Sequence, residues 1–300
     1  MISIVICSRN PGIGEALRKN IDETIGVPYE LIVVDNSRNE YSIFTAYNLG
    51  VSRCKFDVIC FMHDDIVYRS DRWGAVALDH FKDPTVGMIG VGGSRYLSRI
   101  PSTWWAGGLG MTDDAKGTIC QNSIDTDPFA PWDSKRRVIN PAQSVAEDVV
   151  VLDGLWFCIR RDLFGAISFD AATYDGFHFY DLDISLQVRQ TTKRLQVVYE
   201  LTVEHVSHSR HDRSWIAACF TFYEKWAPFL PLSTVEYEPE TLARIEFANL
   251  RVFLDILKGN GCLLRGLGKL ARSHFLALAR YAVVYNWSSA YRARKWSSRP

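Results

Sequence analysis

Ile2-Ser3-Ile4-Val5-Ile6-Cys7-Ser8-Arg9-Asn10-Pro11-Gly12-Ile13-Gly14 opens the chain as an apolar, β-branched run that stops at a polar turn. Residues 2–7 are too short for the apolar core of a leader. No basic segment precedes them and no small-residue cleavage site follows, so they read as a buried strand. After the Asn-Pro-Gly turn, apolar residues return at helical spacing over 13–25. The same alternation repeats outward. Residues 31–34, Val58–Met62 and 86–91 are further strand-like runs, and 41–51 and 73–81 carry helical spacing between them. Strands that are apolar throughout, separated by helices, belong to a parallel sheet covered on both faces. Such sheets bind ligands at the carboxyl ends of their strands, so every polar cluster that follows a strand is a candidate site.

From residue 94 to 149 the periodicity fails. This stretch holds Trp104, Trp105, Trp132, Gly107, Gly108, Gly110 and the triplet Lys135-Arg136-Arg137. A loop of that length in a compact domain is usually functional. Strand character returns over 149–160, followed by a short helix, a helix near 181–190 and short strands at 196–199 and 202–205. Beyond Trp215 the pattern is helical to the end, with no internal repeat.

The 300 residues are 47% apolar and 23% charged, which excludes a disordered, collagen-like or disulfide-scaffold protein. Seven cysteines with no C-x-x-C pair suggest neither a disulfide framework nor a cysteine zinc site, and fit a reducing cytoplasm. The formal net charge is zero, but it is unevenly distributed. After Asp255 there are nine basic residues and no acidic one, so the preceding 255 residues carry a net charge of −9. Arg265, Lys269 and Arg272 repeat at helical spacing, while Leu263, Leu267, Leu270, Leu278, Tyr281 and Tyr285 can share another face. Residues 256–300 therefore read either as a basic amphipathic helix on an anionic membrane surface or as a helix packed on the domain with solvated charges. Nothing else supports a nucleic-acid partner.

Several polar clusters follow strands. Gly12-Ile13-Gly14, with Asp35 ending the next strand, approaches a dinucleotide fingerprint, but Leu17 stands where the third glycine belongs. A helix-start turn is the simpler reading. Asp35 can accept hydrogen bonds from a base or ribose in either case. Asp64 and Asp65, side by side at a strand exit, need a cation or solvent to offset their repulsion, and hard divalent cations such as Mn²⁺ or Mg²⁺ prefer carboxylate oxygens. The alternative is a solvated loop with Asp64 capping the next helix. Asp181 and Asp183 fall at a helix start, where capping accounts for one of them. His205, His208 and His211 have zinc-like spacing if helical, but the preceding run predicts a strand-to-loop exit. Trp104, Trp105, Trp132 and Trp156 are either core residues or flat apolar faces for a ligand; the Trp104-Trp105 pair, with hinging glycines behind it, is the candidate for a mobile wall.

Four ordered segments carry a resemblance: Ile4-Val5-Ile6-Cys7-Ser8-Arg9-Asn10; Glu30-Leu31-Ile32-Val33-Val34-Asp35-Asn36-Ser37; Asn48-Leu49-Gly50; and His63-Asp64-Asp65. Together they resemble a family 2 glycosyltransferase over roughly residues 1–225. The fold this implies is α/β, a GT-A-like, Rossmann-type mixed, mostly parallel sheet with flanking helices and a C-terminal helical extension. Its glycosyltransferase domain would span 1–230, with a nucleotide-binding half at 1–93 and an acceptor-binding and catalytic half at 94–230; the basic extension would occupy 231–300. The resemblance implies that Ser8 and Arg9 line the nucleotide pocket, that Asp35 binds the base, and that Asn48 and Gly50 face the nucleotide. His63-Asp64-Asp65 replaces the family's Asp-x-Asp, with Asp65 as main metal ligand and Asp64 near the ribose; His63 departs from the usual acidic residue. Asp181 aligns with the catalytic base, Asp183 serves as capping or orienting support, and Tyr180 stands where a Glu is usual. His205 becomes a third metal ligand. Asp153, before the sugar-contacting strand with Trp156, hydrogen-bonds donor hydroxyls.

The activity implied is metal-dependent, inverting transfer of a hexosyl or deoxyhexosyl group from a nucleotide-sugar. The acceptor would be a surface polysaccharide or lipid-linked glycan at the cytoplasmic face of the plasma membrane. A nucleotide-sugar-forming nucleotidyltransferase would need a more basic, glycine-rich first loop than Arg9-Asn10-Pro11-Gly12 provides. The departures at His63 and Tyr180 leave open a non-catalytic binding or assembly subunit.

Overall fold

The computed structural model describes residues 1–108, 117–125, 135–205, 211–266 and 268. The first ninety residues form β1 (Ile2–Ser8), α1 (Glu15–Thr24), β2 (Tyr29–Asp35), α2 (Ile43–Val51), β3 (Val58–Met62), β4 (Ile66–Tyr68), α3 (Trp73–His80) and β5 (Val86–Gly90). The middle contributes β6 (Gly92–Ser94), β7 (Tyr96–Leu97), β8 (Ile119–Asp125), β9 (Lys135–Ile139), β10 (Ala146–Val149), β11 (Val151–Leu152) and β12 (Trp156–Arg160). The remainder forms α4 (Tyr180–Gln190), β13 (Arg194–Val198), β14 (Val203–His205), α5 (Arg213–Trp226), β15 (Leu232–Ser233) and α6 (Pro239–Gly259).

The main sheet has the order β10-β13-β5-β12-β3-β1-β2. β2, β1 and β3 are parallel neighbours and β13 is parallel to β5, while β12 lies antiparallel between β3 and β5, and β10 is antiparallel at the edge. Five of the seven strands thus run one way, giving the expected mixed, mostly parallel sheet. The continuous apolar runs conceal a period of two. Val5, Ile59, Phe61 and Phe157 face a core with residues of α2, α4 and α5. Ile4, Ile6, Cys60, Met62 and Cys158 face the opposite core with residues of α1 and α3. Both faces are covered, so neither needs polar residues.

The irregular middle segment is not wholly a loop. A second sheet runs β11-β6-β8-β14-β4, with β9 paired to β8. Its strands include Gly92-Gly93-Ser94 and Gln121-Asn122-Ser123, which show no apolar alternation, so only their long-range pairing reveals them. Helix α6 packs into the same body as residues 1–230. Its Phe253 and Leu257 join the core, and its buried Glu246 accepts hydrogen bonds from the hydroxyls of Tyr96 and Ser98. Gly107 and Gly108 are close-packed: a β-carbon on Gly107 would lie 2.9 Å from Asn249 and Ile245, and one on Gly108 2.4 Å from Ile119.

Gly50 allows α2 to lie against β1, since a β-carbon there would stand 2.3 Å from Val5 Cγ1. Gly50→Ala is expected to destabilise the fold by about 1–3 kcal/mol through overpacking. Gly12, with open space around it, is the control. Equal urea midpoints for the two alanine variants would show that the contact does not constrain the fold.

Candidate active site

Parallel pairing sets Ser8 opposite Asp35 at the carboxyl ends of β1 and β2. Ser8 is fully buried; its Oγ donates to Asp64 Oδ2 at 2.7 Å and accepts the Asn10 N–H at 3.1 Å. Its hydroxyl thus orients Asp64. Asp35 is exposed, and the backbone and hydroxyl of Ser37 hold its carboxyl below the usual range. Its carboxylate is open to a ligand, as is exposed Arg9. Asn48 and Gly50 are engaged within the fold. The Asn48 amide donates to Phe169 O at 2.7 Å and accepts Phe169 N–H at 3.1 Å, clamping α2 to that segment, and Gly50 lies beneath Val5.

His63-Asp64-Asp65 bridges β3 and β4. Antiparallel pairing of β14 with β4 puts His205 opposite Ile66, and so beside Asp65. His205 Nε2 lies 3.5 Å from Asp65 Oδ1, His63 Nδ1 lies 3.9 Å from the same oxygen, and the two rings approach to 3.5 Å. One ligand atom from each of the three residues falls within 4.8 Å of the others. Asp65 Oδ1 is buried without a hydrogen-bond partner, an arrangement a cation would satisfy. Burial pushes the Asp65 carboxyl up, but the His205 and His63 rings outweigh it and hold the group below its ordinary value. Burial, reinforced by His205, pushes His63 down to about 4, leaving a neutral imidazole with a free lone pair. Two imidazoles and a carboxylate suit a divalent transition-metal ion. His205 ends a strand, so the helical zinc spacing does not apply to it. His63, read from sequence only as a departure, belongs to the cluster.

The second acidic site forms where α4 begins beside the Asp153-Gly154 turn. Gly154 N–H donates to Asp181 Oδ2 at 2.9 Å and to Asp153 Oδ1 at 3.0 Å. Asp181 also accepts the Leu182 N–H at 2.9 Å. Burial, and then the Asp153 charge, push the Asp181 carboxyl up to about 7. Asp183 is different: fully buried, it accepts from Lys225 Nζ at 2.7 Å, Trp226 Nε1 at 2.8 Å and Gln187 Nε2 at 2.7 Å. It joins α5 to α4 and does not cap the helix, whose N-cap residue Phe179 makes no side-chain capping bond.

Trp156 is fully buried, donates to the Tyr68 hydroxyl at 2.9 Å and meets Trp73 edge-on. It is a core residue. Trp104 and Trp105 are partly exposed. Trp104 packs on the core and reaches the same Gly92 that Asp153 flanks, while Trp105 faces the ring of His211 at 6.3 Å. Phe177 has no counterpart in the sequence reading. The residue is 43% exposed, and its ring lies 5.9 Å from His63 and 5.8 Å from Tyr180, making it an exposed apolar surface beside the His/Asp/His cluster. The only available signal was its place in the aromatic cluster before α4. Trp132, Gly110, His208 and the basic segment beyond residue 268 lie outside the described residues.

Residues 3–224 match a family described as "glycosyltransferase like family". The chain belongs to that family. No curated protein matches it. Among solved structures, the mannosyltransferase PcManGT from Pyrobaculum calidifontis, in complex with GDP-Man and Mn²⁺, is similar at 13% identity and a TM-score of 0.49, over 96% of this chain and 83% of that one. GalNAc-T7 with UDP, GalNAc and Mn²⁺ is similar at 14% identity and a TM-score of 0.45 over 70% of this chain; the match spans only 43% of the GalNAc-T7 chain. A197 from STIV is similar at 12% identity and a TM-score of 0.36, over 69% and 86%.

A carboxyl with a raised native pKa binds its proton more tightly folded than unfolded. Its ionisation therefore costs stability as pH rises towards about 7. Asp181→Asn is expected to raise the denaturation midpoint at pH 8 and leave it nearly unchanged at pH 4. The same difference at both pH values would refute the raised pKa.

Proposed function

We propose that this chain is a GT-A-type glycosyltransferase that moves a sugar, with inversion, from a nucleotide-sugar to a hydroxyl of a glycan or lipid-linked glycan. The observation that carries the reading is the pairing of two distinct sites across Gly154. One is a His/Asp/His cluster suited to a cation, and the other a carboxylate whose affinity for a proton is raised. Single-displacement transfer needs both. A base must take the acceptor's proton on the face opposite the leaving diphosphate, and Asp181 is the carboxylate tuned for it near neutral pH. A divalent cation, Mn²⁺ or Mg²⁺, held by His63, Asp65 and His205, would neutralise charge on the departing diphosphate.

The other roles follow from position. Asp35 and Arg9, exposed at strand ends, suit the nucleotide base and phosphate, and Asp64, fixed by Ser8, faces the ribose. Asp153 meets donor hydroxyls, with Trp104, Trp105 and Phe177 as apolar walls for the sugars. Among the described residues, no helix is long and apolar enough to cross a membrane. The nine basic charges after Asp255 suit a peripheral contact with an anionic surface on the cytoplasmic side, where polysaccharide precursors are assembled.

Purified protein with Mn²⁺ and a panel of nucleotide-sugars tests the reaction by release of free nucleotide. Asp181→Asn should lower transfer by ~10²–10⁴-fold while donor binding persists, and Asp65→Ala should lose the metal-dependent part of nucleotide binding. The base must be ionised, so kcat/KM should fall as pH drops through about 7, with the limb moving to lower pH in Asp153→Asn. Donor binding without turnover would favour an assembly subunit; formation of nucleotide-sugar from a sugar phosphate would favour a nucleotidyltransferase. For the basic segment, vesicle flotation should weaken when residues 256–300 are removed; equal flotation would exclude a membrane role.

A further inference from the structure

We infer that Tyr180 is a positioning residue for the metal cluster, selecting the tautomer of His63 that presents Nδ1 as the ligand atom. The inference rests on the metal reading above. The Tyr180 hydroxyl lies 3.0 Å from the buried Gly154 carbonyl, to which it donates, and 2.8 Å from His63 Nε2. A phenol has one hydrogen to give. With that hydrogen on the carbonyl, the hydroxyl meets His63 as an acceptor, so Nε2 carries the imidazole proton. Nδ1 is then bare, and it is Nδ1 that faces His205 at 3.5 Å and Asp65 at 3.9 Å. The opposite tautomer fits poorly. It would draw the phenolic hydrogen away from a buried carbonyl and turn an Nδ1 hydrogen, in place of a lone pair, towards His205 and Asp65.

The hydroxyl is also rigidly placed. The Tyr180 ring is buried, stacked edge-on against Phe44 and Tyr47. A β-carbon on Gly154 would approach its hydroxyl to 2.2 Å, so only glycine admits it there. The same Gly154 offers its N–H to Asp181. One peptide turn thus sets the tautomer of a metal ligand through its carbonyl and the position of the candidate base through its N–H.

Long-range ¹H–¹⁵N correlation spectra of the metal-free protein read the tautomer directly. The wild type should show His63 protonated at Nε2, and Tyr180→Phe a mixture. Mn²⁺ titration followed by electron paramagnetic resonance should show Tyr180→Phe weakening uptake by about tenfold, as is usual for loss of a partner that orients a metal ligand. In a His63→Asp background the same change should cost nothing further, because a carboxylate has no tautomer to select; this separates positioning from a general loss of packing. A wild-type His63 protonated at Nδ1, or Mn²⁺ uptake indifferent to Tyr180→Phe, would overturn the inference alone. Failure of the wild type to take up Mn²⁺ would instead overturn the metal reading and the ligand role with it.

Discussion

Strand β12 enters antiparallel between β3 and β5, and the Asp153-Gly154 turn that precedes it is packed too closely for a side chain at Gly154. The site depends on that close approach. No side chain fits at Gly154, because the Tyr180 hydroxyl and the Asp181 β-carbon already occupy the space. The absence of a side chain lets the peptide group address two partners at once, its N–H to Asp181 and its carbonyl to Tyr180. Two chemical functions are thereby held at fixed spacing by backbone, which has no rotamers to lose.

Four carboxylates around this turn have different fates, each decided by what touches it. Asp64 receives a hydroxyl from Ser8, and Asp65 lies against two imidazoles with one oxygen left unpartnered. Asp183 is neutralised by Lys225 and further bonded by Trp226. Among the described residues no cation pairs with Asp181; it has two backbone N–H groups and a second carboxylate nearby, so it holds its proton longer. Identical side chains become ligand support, candidate metal ligand, structural anchor and candidate base without any change in their own chemistry.

His63 and Tyr180, each a departure from the family's motifs in sequence, are hydrogen-bonded to one another. Seen singly, they suggest a weakened enzyme. In contact they form a coherent unit, an imidazole facing the cluster and a phenol behind it, in a family to which 222 consecutive residues of the chain align.

The strand-and-helix alternation, the two-sided burial of the sheet and the clustering of acidic groups at strand ends were legible in the sequence, because periodicity and β-branched runs are local properties. Val58–Met62 stands where the pattern predicts it, and the helix expected near 181–190 begins one residue earlier at Tyr180. Roles that depend on pairing were not legible. The second sheet is built from short polar strands, Asn48 spends its amide on Phe169, Trp156 lies in the core, and His205 reaches Asp65 only through the register of β14 on β4. Sequence alone determined which residue types stand at the ends of which strands. Tertiary structure decided which of them meet, because metal coordination, proton affinity and tautomer are set over a few ångströms by neighbours tens of residues away along the chain.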